Sequence, residues 1–95
     1  MIKVLFVCLG NICRSPMAQF VFMQMVKERG LDDKFEIESA ATESYNEMCH
    51  AGIHYGTRDI LTEMKVPFAE HYSRRIRPHD YAYYDYILAM DDSNI

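Results

Sequence analysis

No apolar run in this sequence approaches the roughly 20 residues that cross a bilayer, so no membrane-spanning helix is expected. Positive charge is also scarce. Ten Lys and Arg stand against fourteen Asp and Glu, a net charge of −4, which argues against a nucleic-acid footprint. Met1 to Leu9 is apolar but too short for a secretory leader, and the polar Asn11 and Arg14 follow at once. Without a leader, three cysteines point to a reducing cytoplasm rather than a disulfide scaffold. Cys8, Cys13 and Cys49-His50 lack the closely paired ligands of a zinc module, so neither a metal ion nor another cofactor is expected. Ninety-five residues make one domain at most, and a chain this short buries a modest share of its surface.

What the sequence does have is concentrated near its start. Ile2 to Val7 is an apolar run rich in β-branched residues and bounded by Gly10, which reads as a buried strand. Ser15-Pro16 then opens an apolar-periodic segment. Serine at the N-cap and proline at the first helical position predict a helix over 15–29. Cys8, five residues and Arg14 therefore share a strand-to-helix turn. Such a loop points backbone N–H groups inward and aims a helix N-terminus at the same spot, where an anion is stabilised. The same surroundings favour the thiolate, the reactive form of cysteine. Arg14 offers a planar fork for two phosphate oxygens. Gly10 supplies backbone freedom. Asn11 tolerates the left-handed region and can brace the loop with its amide. The chemistry this predicts is attack of the Cys8 sulfur on phosphorus, with hydrolysis of the thiophosphate by water. Arg14 and the N–H groups of Leu9 to Arg14 would stabilise the equatorial oxygens. The plainer alternative makes Cys8 a core cysteine and Arg14 a surface charge. A helix dipole disfavours arginine at that position unless an anion is near.

Along the rest of the chain, Ala18, Val21, Phe22 and Met25 recur at helical spacing and are expected to face a sheet. Lys27 and Arg29 suit a helix end, and Gly30 the position past it. Phe35 to Ala40 alternates as an edge strand, joined to the first by a parallel crossover. Ser39 would end that strand beside Cys8, where ligands of such sheets bind; by itself it reads as a turn serine. Residues 41–56 are loop-like, and Thr57 to Lys65 reads as a helix with Ile60, Leu61 and Met64 inward. Arg74, Arg75 and Arg77 read as a solvated basic face, or else as an attraction for acidic phosphopeptides. His71 alone reads as structural, while His50, His54 and His79 carry no signal. Pro78 to Tyr83 suits a short helix, its tyrosines and Tyr84 and Tyr86 reading as packing residues. Tyr86 to Met90 suits a buried third strand, followed by Asp91 and Asp92 as caps of a further helix or as acids.

Val7-Cys8-Leu9-Gly10-Asn11-Ile12-Cys13-Arg14-Ser15-Pro16-Met17-Ala18 resembles the N-terminal signature of the low-molecular-weight protein tyrosine phosphatases. The likeness continues through Ser39-Ala40-Ala41-Thr42, His71-Tyr72-Ser73-Arg74 and Asp85 to Asn94. It implies an α/β three-layer sandwich whose parallel sheet has strands 2–7, 35–40 and 86–90 in the order 2-1-3. It implies Cys8 as nucleophile, Arg14 as transition-state clamp and Leu9 to Arg14 as the phosphate loop. Ser15 would hydrogen-bond the thiolate, and Asn11, Ser39 and His71 would hold the loop in shape. An aromatic residue flanks the substrate ring in the family, and Tyr45 is the nearest candidate. The implied ligands are a phosphotyrosyl protein or small aryl phosphate, and inorganic phosphate. The family's general acid is the aspartate of an Asp-Pro loop, and these 95 residues contain no Asp-Pro, so none is assigned that role. The expectation is a single domain over 1–95, C-terminally truncated relative to the family: the family's fourth strand and last helix are missing from it, which leaves the third strand open to self-association.

Arsenate reductases and protein arginine phosphatases share the fold and loop. The former relay through further cysteines, and Cys49 does not match that place. The latter typically carry threonine where Ile12 stands. A non-catalytic phosphopeptide-binding form is a further alternative. Cys13, four residues beyond Cys8's neighbour Leu9, is a candidate redox partner that could close a disulfide onto an oxidised Cys8.

Overall fold

A computed structural model describes residues 1–90. Strand β1, Ile2–Cys8, lies at the centre of a three-stranded parallel sheet, between β2, Phe35–Ala41, and β3, Tyr86–Ala89. The order 2-1-3 and the parallel pairing are those expected. Helix α1, Arg14–Glu28, makes the crossover from β1 to β2. Three shorter helices follow β2: α2, Tyr45–Met48; α3, Tyr55–Glu63; and α4, Pro78–Tyr83.

The pleat of β1 divides its side chains between two layers. Phe6 meets Phe22 of α1 edge-to-face, and Phe22 meets Phe35 of β2 in the same way. On the opposite face Leu5, Val7 and Ala40 are buried against Ile76, Tyr84 and Ile87. A second cluster, Phe20, Ile53, Leu61 and Val66, fastens α3 to α1. With apolar layers on both sides, β1 is buried from Val4 to Cys8, which is why its sequence is continuously apolar.

Several elements depart from the sequence reading. Helix α1 starts at Arg14, so Ser15 is not its cap but a buried first-turn residue, and Cys13 occupies the N-cap without a side-chain capping bond. Pro16 is still harmless, because first-turn N–H groups have no helical partner. The inward stripe of α1 is Gln19, Phe20 and Val26, whereas Met25 is about half exposed. The cause is the second cluster, which draws Phe20 towards α3 and rotates the buried face. Residues 41–56 contain α2 and the start of α3, whose buried residues are Thr57 and Leu61 while Ile60 and Met64 are exposed.

Strand β3 is not buried. Tyr86 is 59% and Leu88 43% exposed, since the strand lies at the sheet edge and no described helix covers that side. Of the tyrosines, Tyr84 packs, while Tyr81, Tyr83 and Tyr86 are exposed, and Tyr83 instead donates its hydroxyl to Glu36. Asp91 and Asp92 lie outside the described residues. At the end of α1, Gly30 has φ +69°, and Leu31 N–H reaches Val26 O at 2.8 Å, the closure that glycine permits.

The basic cluster is only in part a solvated face: Arg75 and Arg77 are exposed as expected, but Arg74 is partly buried, and Arg74 and Arg77 are both paired. Arg74 makes two hydrogen bonds to Asp80, at 3.0 and 3.2 Å, and Arg77 pairs with Glu47. Asp80 is buried in the first turn of α4 and also accepts from Arg77 N–H at 2.7 Å. Burial alone would raise its carboxyl pKa, but the bonds from Arg74 and Arg77 N–H outweigh that and hold it below the usual range. In Asp80→Ala, the Arg74 guanidinium, its side chain one-third exposed, loses its partner. The expected destabilisation is about 2–3 kcal/mol, reduced from the fully buried case by that exposure. Urea unfolding with an unchanged m-value checks this; an unaltered midpoint would show that the pair contributes nothing net.

Candidate active site

Strand β1 delivers Cys8 to the carboxyl edge of the sheet, and the next five residues loop over to Arg14 at the start of α1. Cys8 is buried, at 3% exposure. Its sulfur lies 3.0 Å from Ser15 Oγ and accepts from Asn11 N–H at 3.2 Å. Ser15 Oγ itself accepts from Asn11 Nδ2 at 2.7 Å. That contact leaves the Ser15 proton free to point at Cys8, so two donors address the sulfur and stabilise negative charge there.

The remaining donors follow from where the loop's carbonyls go. Thr42 N–H donates to Cys8 O at 3.0 Å, Glu43 N–H to Leu9 O at 3.3 Å and His54 N–H to Ile12 O at 2.7 Å. Gly10 O accepts from Ser73 Oγ at 2.8 Å and Asn46 Nδ2 at 3.1 Å. No described peptide is cis, so each carbonyl points opposite to the following N–H. Fastening these four carbonyls outward turns the N–H groups of Leu9, Gly10, Asn11 and Cys13 to the inner side. Helix α1 adds its own N-terminus, with no acidic residue in its first turn and no side chain capping it. Its leading N–H groups and dipole are thus left for an anion. Arg14, exposed, stands at that end.

Asn11 holds this shape. It is fully buried with φ +55°, a left-handed conformation that asparagine tolerates better than most residues. Its Oδ1 accepts from Arg74 N–H at 3.2 Å and lies 3.1 Å from His71 Nε2. An amide oxygen cannot donate, so His71 carries its proton on Nε2. Ser39 Oγ, 3.4 Å from the same nitrogen, donates in turn to Gln19 Oε1. Burial, aided by the Arg74 charge and opposed by the bond to Asn11, lowers the His71 pKa below its ordinary 6.5. The ring is neutral at pH 7.

Of the residues singled out from sequence, Cys8 to Ser15, Ser39 and His71 converge here. Tyr45 is 68% exposed on α2, beside the Asn46 that holds Gly10. Cys13 is a free, exposed thiol whose sulfur accepts from Thr57 Oγ1 at 3.1 Å. Cys49 is exposed and free, and no cluster of metal-ligating side chains gathers among the described residues. Asn46, Ser73, His54, Gln19 and Arg74 were missed as loop supports. Ser73 and Arg74 stand within a motif already noted, but bonds to main-chain atoms leave no residue signature.

Because the unfolded chain protonates the His71 ring more readily than the folded one, acid favours unfolding. This contribution is intact above about pH 6.5 and is lost as pH falls below it. Thermal unfolding between pH 7.5 and 5 should show a falling midpoint for the wild type and a flatter profile for His71→Gln, each measured in the same buffers. Parallel profiles would show that another group governs the acid limb.

The family model described as low molecular weight phosphotyrosine protein phosphatase matches residues 3–95. The low molecular weight protein-tyrosine-phosphatase YfkJ of Bacillus subtilis is 42% identical over all of this chain and 60% of its own length. The human low molecular weight phosphotyrosine protein phosphatase is 41% identical over 98% of the chain and 57% of its own. Among solved structures, the protein tyrosine phosphatase of Entamoeba histolytica superposes with TM-score 0.92 at 36% identity, covering 99% of this chain and 58% of that one. A Drosophila arginine phosphatase superposes with TM-score 0.88 at 36% identity, covering 98% and 57%. The chain thus spans about three-fifths of the length of the relatives it matches. A cysteine buried among inward N–H groups, on this fold and with these relatives, places the chain in the low molecular weight phosphotyrosine protein phosphatase family.

Proposed function

We propose that the chain carries the nucleophilic half of a protein tyrosine phosphatase site. The observation that carries this reading is the outward fastening of the loop carbonyls, which collects N–H donors around the Cys8 sulfur. In the first step the Cys8 thiolate attacks phosphorus and forms the S–P bond while the P–O bond to the aryl group breaks. The departing aryloxide takes a proton from solvent water. In the second step water attacks phosphorus, the S–P bond breaks, inorganic phosphate leaves and the thiolate returns to the Ser15 and Asn11 donors. Leu9, Gly10, Asn11, Ile12 and Cys13 supply the cradle. Arg14 clamps two equatorial oxygens through its fork, most strongly as charge spreads onto them.

Ser15 bonds the sulfur, while Asn11, Ser39 and His71 keep the cradle in register. Tyr45 flanks the substrate ring. No group among these 95 residues is assigned as the acid for the leaving oxygen, so a leaving group that departs unprotonated is the suitable probe. The substrates are phosphotyrosyl proteins or aryl phosphates in a reducing cytoplasm, where Cys8 stays reduced and Cys13 is its partner under oxidation. Ile12, in place of the threonine typical of arginine phosphatases, favours tyrosine.

With p-nitrophenyl phosphate the wild type is expected to release nitrophenolate, and Cys8→Ser to reduce release to background. Arg14→Lys, which keeps charge but loses the fork, should lower kcat by about 100- to 1,000-fold. A phosphotyrosyl peptide should be cleaved in preference to a phosphoarginyl one. Release unchanged in Cys8→Ser would overturn the nucleophile assignment, and no release by the wild type would favour a phosphate binder.

A further inference from the structure

Helix α2 has four residues, Tyr45–Met48, too few to hold itself in water. Yet it carries Asn46, whose amide fastens Gly10 O, and Tyr45 beside it. What holds it is Glu47, with both carboxylate oxygens engaged. Oε2 accepts from Arg75 N–H at 2.9 Å and Oε1 from Arg77 Nη2 at 2.9 Å. The guanidinium is itself oriented, because Arg77 Nη1 donates to Arg75 O at 2.7 Å. The receiving segment is rigid. Ala41 N–H donates to Arg74 O at 2.7 Å and Ile76 N–H to Ala41 O at 2.8 Å, so residues 74–76 are tied to the end of β2. The two bonds hold the Glu47 carboxyl below its usual pKa.

We propose that Glu47 is a positioning residue: by clasping α2 to Arg75 and Arg77 it sets Tyr45 at the rim of the phosphate loop and so determines the preference for aryl over bare phosphate. The inference rests on reading Cys8 to Arg14 as that loop. Its logic is a division of labour. The cradle has several supports besides Asn46, Ser73 among them on the same carbonyl, and binds the phosphate group. Apart from the Asn46 bond to Gly10 O, the clasp is the side-chain tie that holds this four-residue helix among the described residues. Releasing it frees Tyr45 while most of the cradle persists, so the aryl group loses its neighbour and the phosphate does not. Substitution at Gly10 presses on the same contact, since a Cβ there would lie 2.6 Å from Asn46 Nδ2.

Calorimetric titration with phenylphosphonate, which resists hydrolysis, and with inorganic phosphate separates the two functions. Arg14→Ala serves as the control for the loop. In Glu47→Ala the phenylphosphonate dissociation constant is expected to rise roughly 3- to 10-fold relative to that of phosphate, the range for an exposed but charge-assisted pair. Glu47→Gln, which keeps an acceptor for Arg75 N–H, should show a smaller rise. Tyr45→Ala should raise the same ratio, and adding Glu47→Ala to it should raise the ratio no further. A residue that only supports the fold would weaken both ligands alike, and that result overturns the clasp. Binding of neither ligand, or binding unaffected by Arg14→Ala, overturns the phosphate-loop reading itself and the clasp with it.

Discussion

The side-chain amide of Asn11, wholly buried, is where Cys8, the first turn of α1 and the 71–74 segment converge. Its nitrogen serves Ser15, its oxygen receives Arg74 N–H and faces His71, and its backbone N–H serves the sulfur. Both lone pairs of the oxygen are therefore occupied by groups from a segment sixty residues away in sequence. A buried amide with these demands has one low-energy arrangement, because any unpaired polar atom there costs about 1–3 kcal/mol. That arrangement sets the left-handed turn at Asn11, which in turn aims the loop.

From that constraint the rest of the site follows in layers. Ser15 can donate to Cys8 because its oxygen is already satisfied by Asn11. His71 is held neutral by burial and presents Nε2–H because Asn11 and Ser39 offer oxygens to it. The outer carbonyls of the loop are anchored from four places: the turn after β2, α2, the start of α3 and Ser73. Each anchor is packed by its own contacts, α3 through Leu61 onto α1 and the 73–77 segment through Arg74 and Asp80. The core thus acts on the chemistry indirectly, by holding backbone donors that hold the loop.

Electrostatics complete the picture at the helix end. The first turn of α1 has neither an acidic residue nor a capping side chain, and it carries Arg14. For an ordinary helix that combination is unfavourable, since a cation opposes the dipole. Under the proposed function, an oxyanion in the loop offsets that cost. The local departure from good helix design coincides with the proposed binding site, where such departures concentrate.

The sequence by itself determined the strand-turn-helix at the N-terminus, the parallel crossover to β2, α4 from Pro78 to Tyr83 and the loop residues Cys8 to Arg14. These are local: β-branched runs, proline in a first turn and fixed spacings speak for themselves within a few residues. Only the tertiary structure decided which face of α1 is buried, because Phe20 answers to Leu61 and Val66 rather than to its own helix. It decided that β3 stays exposed despite its apolar residues, since burial depends on what packs over a strand. It also decided the partners of the loop carbonyls and the pairing of Arg74 and Arg77 with Asp80 and Glu47. A main-chain acceptor has no residue identity, and neither the six-residue separation of Arg74 and Asp80 nor the thirty-residue separation of Arg77 and Glu47 is a helix or strand period, so neither can be written into a local pattern.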